Sequence, residues 1–154
     1  MWKVKWALAP LFGLNSLKQF SMNTEGKACI IDDDAIHEFG MTALMKRLGF
    51  SNEILIYHDG QEAIEGISKL YKNGIALPKV IFLDLNMPVK DGWGFLDDFL
   101  EIPQKNRENV VIYILSSSNH PSDMERAKKY DIVRDYLIKP LGKDDLSQIL
   151  KEHF

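Results

Sequence analysis

From Lys27 onward, short apolar runs alternate with longer amphipathic segments. The runs cover residues 28–31, 54–57, 80–83, 110–115 and 136–138. Unbroken apolar stretches of this length, bounded by breakers, suit strands buried on both faces of a parallel sheet. Between the first two runs, Ile36, Phe39, Ala43 and Leu48 recur at helical spacing. They predict a helix buried on that side, capped by Asp34 and ended by Gly49. A second helix opens on Asp59-Gly60-Gln61-Glu62, which resembles a capping box. It turns Ala63, Ile64, Ile67, Leu70 and Tyr71 inward and stops at Asn73-Gly74. A weaker third pattern covers residues 92–100 and halts before Pro103, and a fourth runs from Pro121 to about Tyr130. The fifth carries Asp144 and Asp145 in its first turn, where the helix dipole favours carboxylates, and buries Leu146, Ile149 and Leu150. Five strands alternating with five helices predict an α/β fold, a doubly wound parallel sheet with helices on both faces.

The alternation defines one domain at 27–154, and 45% hydrophobic residues are enough for a real core. It runs to the end of the sequence, so the expectation is a single domain without a second one. Residues 1–26 do not share the pattern. Lys3 and Lys5 precede an apolar run that Pro10 breaks and that is too short to span a bilayer. The expectation is a poorly ordered extension, with Met22 as an alternative start. An interfacial helix presenting Trp2, Trp6, Leu11 and Phe12, or a signal peptide without a small-x-small cleavage site, are the other readings.

A net charge of −3 and the lack of a Lys/Arg stripe with interleaved aromatics argue against nucleic-acid binding. The single cysteine, Cys29, lies in the apolar run Ala28-Cys29-Ile30-Ile31 and reads as a small buried residue. His37, His58, His120 and His153 show no ligand spacing and are expected at the surface, with His120 beside the loop after the fourth strand.

Chemistry concentrates where the apolar runs end. The first ends in Asp32-Asp33-Asp34 and the third in Asp84, with Asn86 two residues on. The fourth ends in Ser116-Ser117-Ser118 and the fifth in Lys139-Pro140. In a parallel sheet these ends share one edge, the edge at which open α/β sheets bind ligands. Two or three carboxylates within a few Å either raise a pKa or hold a cation. With oxygen ligands only, Mg2+ fits that pocket best. A carboxylate nucleophile beside a metal, a hydroxyl and a lysine is equipment for phosphoryl transfer.

These motifs resemble the receiver domain of two-component response regulators, of the short chemotaxis-regulator type. Ile30-Ile31-Asp32-Asp33-Asp34 is similar to the family's acidic pair after strand one. The segment from Phe82 to Gly92, F-L-D-L-N-M-P-V-K-D-G, is similar to its phosphoacceptor strand and loop. Ile114-Leu115-Ser116 resembles the hydroxyl after strand four, and Tyr136-Leu137-Ile138-Lys139-Pro140 the lysine with its cis proline. The separations between Asp33, Asp84, Ser116 and Lys139 suit the family as well.

The resemblance implies the strand order 2-1-3-4-5. It also implies that Asp84 accepts a phosphoryl group from a histidine kinase or a histidine phosphotransfer protein. Asp33, Asp84 and the Asn86 backbone carbonyl would ligate Mg2+, with Asp32 acting through water. Lys139 would pair with Asp84 and then with the phosphoryl group. Ser116 would be the switch hydroxyl, with Ser117 as the alternative register, and Tyr136 the switch aromatic. Asp32 and Asp33 are taken as the acidic pair and Asp34 as the cap. Asn86 and Ser118 match the positions that tune hydrolysis, and small polar groups there imply a phospho-form lasting seconds to minutes. Trp93 and Gly94 depart from the family pattern.

The implied protein is a cytoplasmic signalling switch with intrinsic autodephosphorylation rather than an enzyme. Its output passes to a downstream protein partner or on by phosphate relay. A Mg2+-dependent aspartyl-phosphate phosphatase would need a second carboxylate two residues after the nucleophile, where Asn86 stands. A receiver-like binding module that is never phosphorylated would not need the complete set of polar groups.

Overall fold

The computed structural model describes residues 26–154. The expectation for the N-terminal extension, residues 1–26, lies outside the described residues except at Gly26. Five strands form one parallel sheet: β1 (Ala28–Ile31), β2 (Ile54–Tyr57), β3 (Val80–Asp84), β4 (Val111–Ser116) and β5 (Val133–Ile138). Their order is 2-1-3-4-5, as the family resemblance implied. Among the described residues six helices connect and cover them: α1 (Ala35–Arg47), α2 (Gly60–Lys72), α3 (Gly92–Phe99), α4 (Gln104–Arg107), α5 (Pro121–Ala127) and α6 (Lys143–His153). The short α4 follows Pro103 in a stretch read from sequence as a break. β5 starts three residues before its apolar run because Arg134 and Asp135, on an edge strand, face solvent. Arg134 is left unopposed where the β4–β5 register shifts.

Pleating divides the core in two. Cys29, Ile31, Ile81, Leu83, Ile112 and Ile114 point to one face and pack under Ala63 and Ile67 of α2, Phe95, Leu96 and Phe99 of α3, and Ala127 of α5. Ala28, Ile30, Val80, Phe82, Tyr113 and Leu115 point to the other, under Met41 and Met45 of α1 and Leu146, Ile149 and Leu150 of α6. Every residue of β1 and β3 is buried, as a strand covered on both sides requires.

α1 contradicts the expected inner face. Ile36 is 84% and Phe39 73% exposed, and Ala43 is also exposed. The helix is rotated so that Met41 and Met45 enter the core, with Leu44 and Leu48 partly buried beside them. Methionine's flexible thioether fills the space over Ala28 and Ile30. The other helix readings match: Asp34 caps α1 through the amides of Ile36 and His37, and Asp59 caps α2 through that of Glu62. The Glu62 carboxylate in turn accepts from the amide of His58, one residue before the cap.

Candidate functional site

Strand register brings the polar ends together. Ile31 lies level with Leu83, so Asp32 and Asp84, the next residue on each strand, emerge side by side. Asp84 is level with Leu115, which places Ser116 one residue beyond it at the end of β4. Ser116 pairs with Ile138, and its carbonyl accepts the Lys139 amide at 2.8 Å, bringing the lysine over the same edge. The Lys139–Pro140 peptide is cis. Behind Asp84 the chain turns tightly. A Cβ on Gly92 would lie 2.5 Å from the Asp84 carbonyl oxygen, so only glycine lets α3 start this close to the strand end.

Oxygens of Asp32, Asp33 and Asp84 lie within 4.8 Å of one another. Asp32 and Asp84 are buried, whereas Asp33 is exposed and opens the cluster to solvent. Lys139 Nζ stands 2.9 Å from Asp32 Oδ2 and 3.5 Å from Asp84 Oδ2. Burial raises the Asp84 carboxyl to about 6; Lys139 opposes this, and Asp32 and Asp33 add to it. Burial acts on Asp32 in the same sense, but hydrogen bonds from His37, Lys139 and the Asp34 amide outweigh it and bring its carboxyl down to about 2. Two neighbouring acids are thus poised differently, one firmly ionised and the other near neutral pH. A set of carboxylates without sulfur ligands, partly open to water, fits a hard divalent cation.

Of the other candidate residues, Ser116 is fully buried and its Oγ accepts the Ser118 amide at 3.1 Å, whereas Ser117 is exposed. Asn86 is exposed, and its amide donates weakly to Asp84 Oδ1 at 3.4 Å. Ser118 Oγ accepts the His120 amide at 3.2 Å. The Tyr136 hydroxyl donates to the Ser118 carbonyl at 2.9 Å, tying β5 to the loop after β4.

Two histidines expected at the surface are not there. His153 is nearly enclosed and meets the Tyr113 hydroxyl at 2.8 Å. His37, with a side chain only 13% exposed, places Nδ1 2.6 Å from Asp32 Oδ2. Side chains tilt toward a helix N-terminus, so a polar residue in the first turn of a helix capped by Asp34 points back at the strand end. That was the available signal for His37. Trp93 and Gly94 also acquire an account. The Gly94 amide donates to the capping Asp91, while Trp93 stacks on Tyr130 at 5.9 Å under the Arg126 guanidinium at 4.3 Å.

Comparison with known proteins agrees with this architecture. The family model described as the response regulator receiver domain matches residues 28–151. The chain is 30% identical over 124 residues to the probable methanogenesis regulatory protein FilR2 of Methanothrix harundinacea, covering 80% of this chain and 77% of that protein. The crystal structure of a two-component response regulator from Cytophaga hutchinsonii superposes with a TM-score of 0.75 at 31% identity, covering 84% of this chain and 97% of that one. The receiver domain of a sensor histidine kinase from Pseudomonas aeruginosa, described with magnesium coordinated in its active-site cleft, gives 0.66 at 22% identity, covering 82% and 95%. With its sheet order, its acidic edge and a family match spanning most of its length, the chain belongs to the response regulator receiver domains.

Proposed function

We propose that residues 27–154 act as one phosphorylation-dependent switch and that Asp84 is the phosphoacceptor. The observation that carries the reading is a buried Asp84 carboxyl, 7% exposed, converging with Asp32 and Asp33 and reached by Lys139. An Asp84 carboxylate oxygen attacks the phosphorus of a phosphohistidine on a kinase or phosphotransfer protein. The new P–O bond forms as the P–N bond breaks, and the imidazole nitrogen keeps the electron pair. A carboxyl near 6 is largely ionised at neutral pH and ready to attack. Mg2+, held by Asp33, Asp84 and the Asn86 carbonyl with Asp32 acting through water, would supply positive charge to the phosphoryl oxygens; the magnesium described for the Pseudomonas relative supports that choice. Lys139 and Ser116 serve the same oxygens as donors.

The donor's histidine must approach over the strand ends, and that approach is bordered by exposed apolar groups. Ile36 and Phe39 in the first two turns of α1, and Val89 in the loop after β3, stand open to solvent. Such groups beside a polar cleft suit the apolar side of a histidine-bearing helix.

Adding a dianionic group draws Ser116 and Lys139 toward Asp84. The loop after β4 follows, and the Tyr136–Ser118 bond carries the change to β5. A swing from mostly off to mostly on needs about 5.5 kcal/mol, within reach of a few charge-assisted bonds of roughly 1.5–3 kcal/mol each. A downstream protein partner reads the resulting surface of α5, β5 and α6, and Asn86 and Ser118 leave room for the water that ends the signal. The setting is cytoplasmic; among the described residues no helix is long and apolar enough to cross a membrane.

Phosphate-affinity electrophoresis after incubation with acetyl phosphate and Mg2+ tests the reading. An acid-stable, base-labile shifted band is expected in the wild type and not in Asp84→Asn. A band that survives the substitution, or none in the wild type, overturns it.

A further inference from the structure

We propose that His37 is a positioning residue that keeps the Asp32 carboxylate in place when Lys139 leaves it for the phosphoryl group on Asp84. The inference rests on the phosphoacceptor reading above. Asp32 Oδ1 accepts the Asp34 amide at 2.9 Å, while Oδ2 is shared by His37 Nδ1 at 2.6 Å and Lys139 Nζ at 2.9 Å. A carboxylate only accepts, so the ring nitrogen facing it carries a proton. In this state the ammonium lies closer to Asp32 than to Asp84, by 2.9 against 3.5 Å. Phosphorylation therefore asks Lys139 to desert a buried anion, and a buried carboxylate deprived of donors is costly. His37 leaves a side-chain donor on that same oxygen and so makes the departure cheaper.

The other ring nitrogen argues against a space-filling role. Nε2 is buried without a hydrogen-bond partner. Leucine or phenylalanine would fill the position without that penalty, so the benefit of the ring must come through Nδ1. Nor is His37 one of the converging metal-binding groups, which among the described residues are Asp32, Asp33 and Asp84. It acts through Asp32.

Beryllofluoride, a phosphoryl mimic, provides the test. It is titrated into folded wild type, His37→Leu and His37→Asn at fixed Mg2+, with the bound fraction read by fluorine NMR. Asparagine places its amide where Nδ1 sits. His37→Gln places it near Nε2 instead and serves as a second loss variant should the leucine variant fold poorly. The loss variants should bind about tenfold more weakly, the scale of one hydrogen bond to an ionised group, and His37→Asn should recover most of that. In a Lys139→Ala background the effect of losing His37 should shrink below about threefold, because no ammonium remains to be released. Equal losses in both backgrounds, no rescue by asparagine, or no loss at all overturns the proposal. Failure of the folded wild type to bind, or undiminished binding by Asp84→Asn, would instead count against the phosphoacceptor reading.

Discussion

At the scale of single residues, Asp32 and Asp84 differ in their donors. Asp32 has three within hydrogen-bond reach, whereas Asp84 has a weak amide contact and the more distant side of Lys139. Their pH dependences are therefore opposite. Asp84 titrates higher in the folded chain, about 6, than its usual 3.8, so its ionisation costs stability. That cost is absent below about pH 4 and complete above pH 6. Without divalent metal, Asp84→Asn should stabilise the fold by about 1–2 kcal/mol at pH 7.5, given about 1.4 kcal/mol per pH unit of displacement in a partly wet cleft. The advantage should vanish near pH 4, and urea unfolding at both pH values measures it. Asp32, held near 2, contributes in the other sense, and its share is lost as pH falls below 3.8 toward 2. The acids themselves were legible in the chain because they terminate apolar runs. His37 was not, because its meaning depends on how the first turn of α1 faces the strand end.

At the scale of elements, α1 and α5 show how weakly a helix's own pattern can fix its orientation. Ile36, Phe39 and Ala43 form as regular a stripe as Met41 and Met45, and only docking on β1 and β3 chose between them. α5 has one fully buried residue, Ala127, and no side-chain cap. Arg126 over Trp93, and Tyr130 stacked on Trp93 and bonded to Asp97, hold this region against α3. A cation–π contact of about 0.5–1 kcal/mol predicts that Arg126→Ala speeds amide exchange in α5 about two- to fivefold while leaving α1 and α6 unchanged. Hydrogen-exchange mass spectrometry distinguishes this from general loosening.

At the scale of the whole molecule, the cluster of Asp32, Asp33 and Asp84 spans the ends of β1 and β3, the centre of the sheet. A ligand that binds only the folded state adds stability by mass action, about 2.7 kcal/mol at a hundredfold excess over its dissociation constant. Saturating Mg2+ should therefore raise the melting temperature by a few degrees, reversibly with EDTA, and Asp33→Asn should abolish most of the rise. Differential scanning calorimetry provides the check. Asp33 is the informative position because it is exposed, so its replacement perturbs the pocket's charge and not the core.

What the chain determined by itself was the alternation of buried strands with helices, the helix caps at Asp34 and Asp59, and the polar residues that end each strand. These follow from local rules of periodicity, capping and chain breaking, which act over a few neighbours. Tertiary structure decided which side of α1 is buried, which serine stands at the strand end, and that His37 and Lys139 share one oxygen of Asp32. It also settled the contacts of Trp93. Each of these depends on register and docking between segments distant in sequence, where packing of whole surfaces outweighs the preference of any one residue.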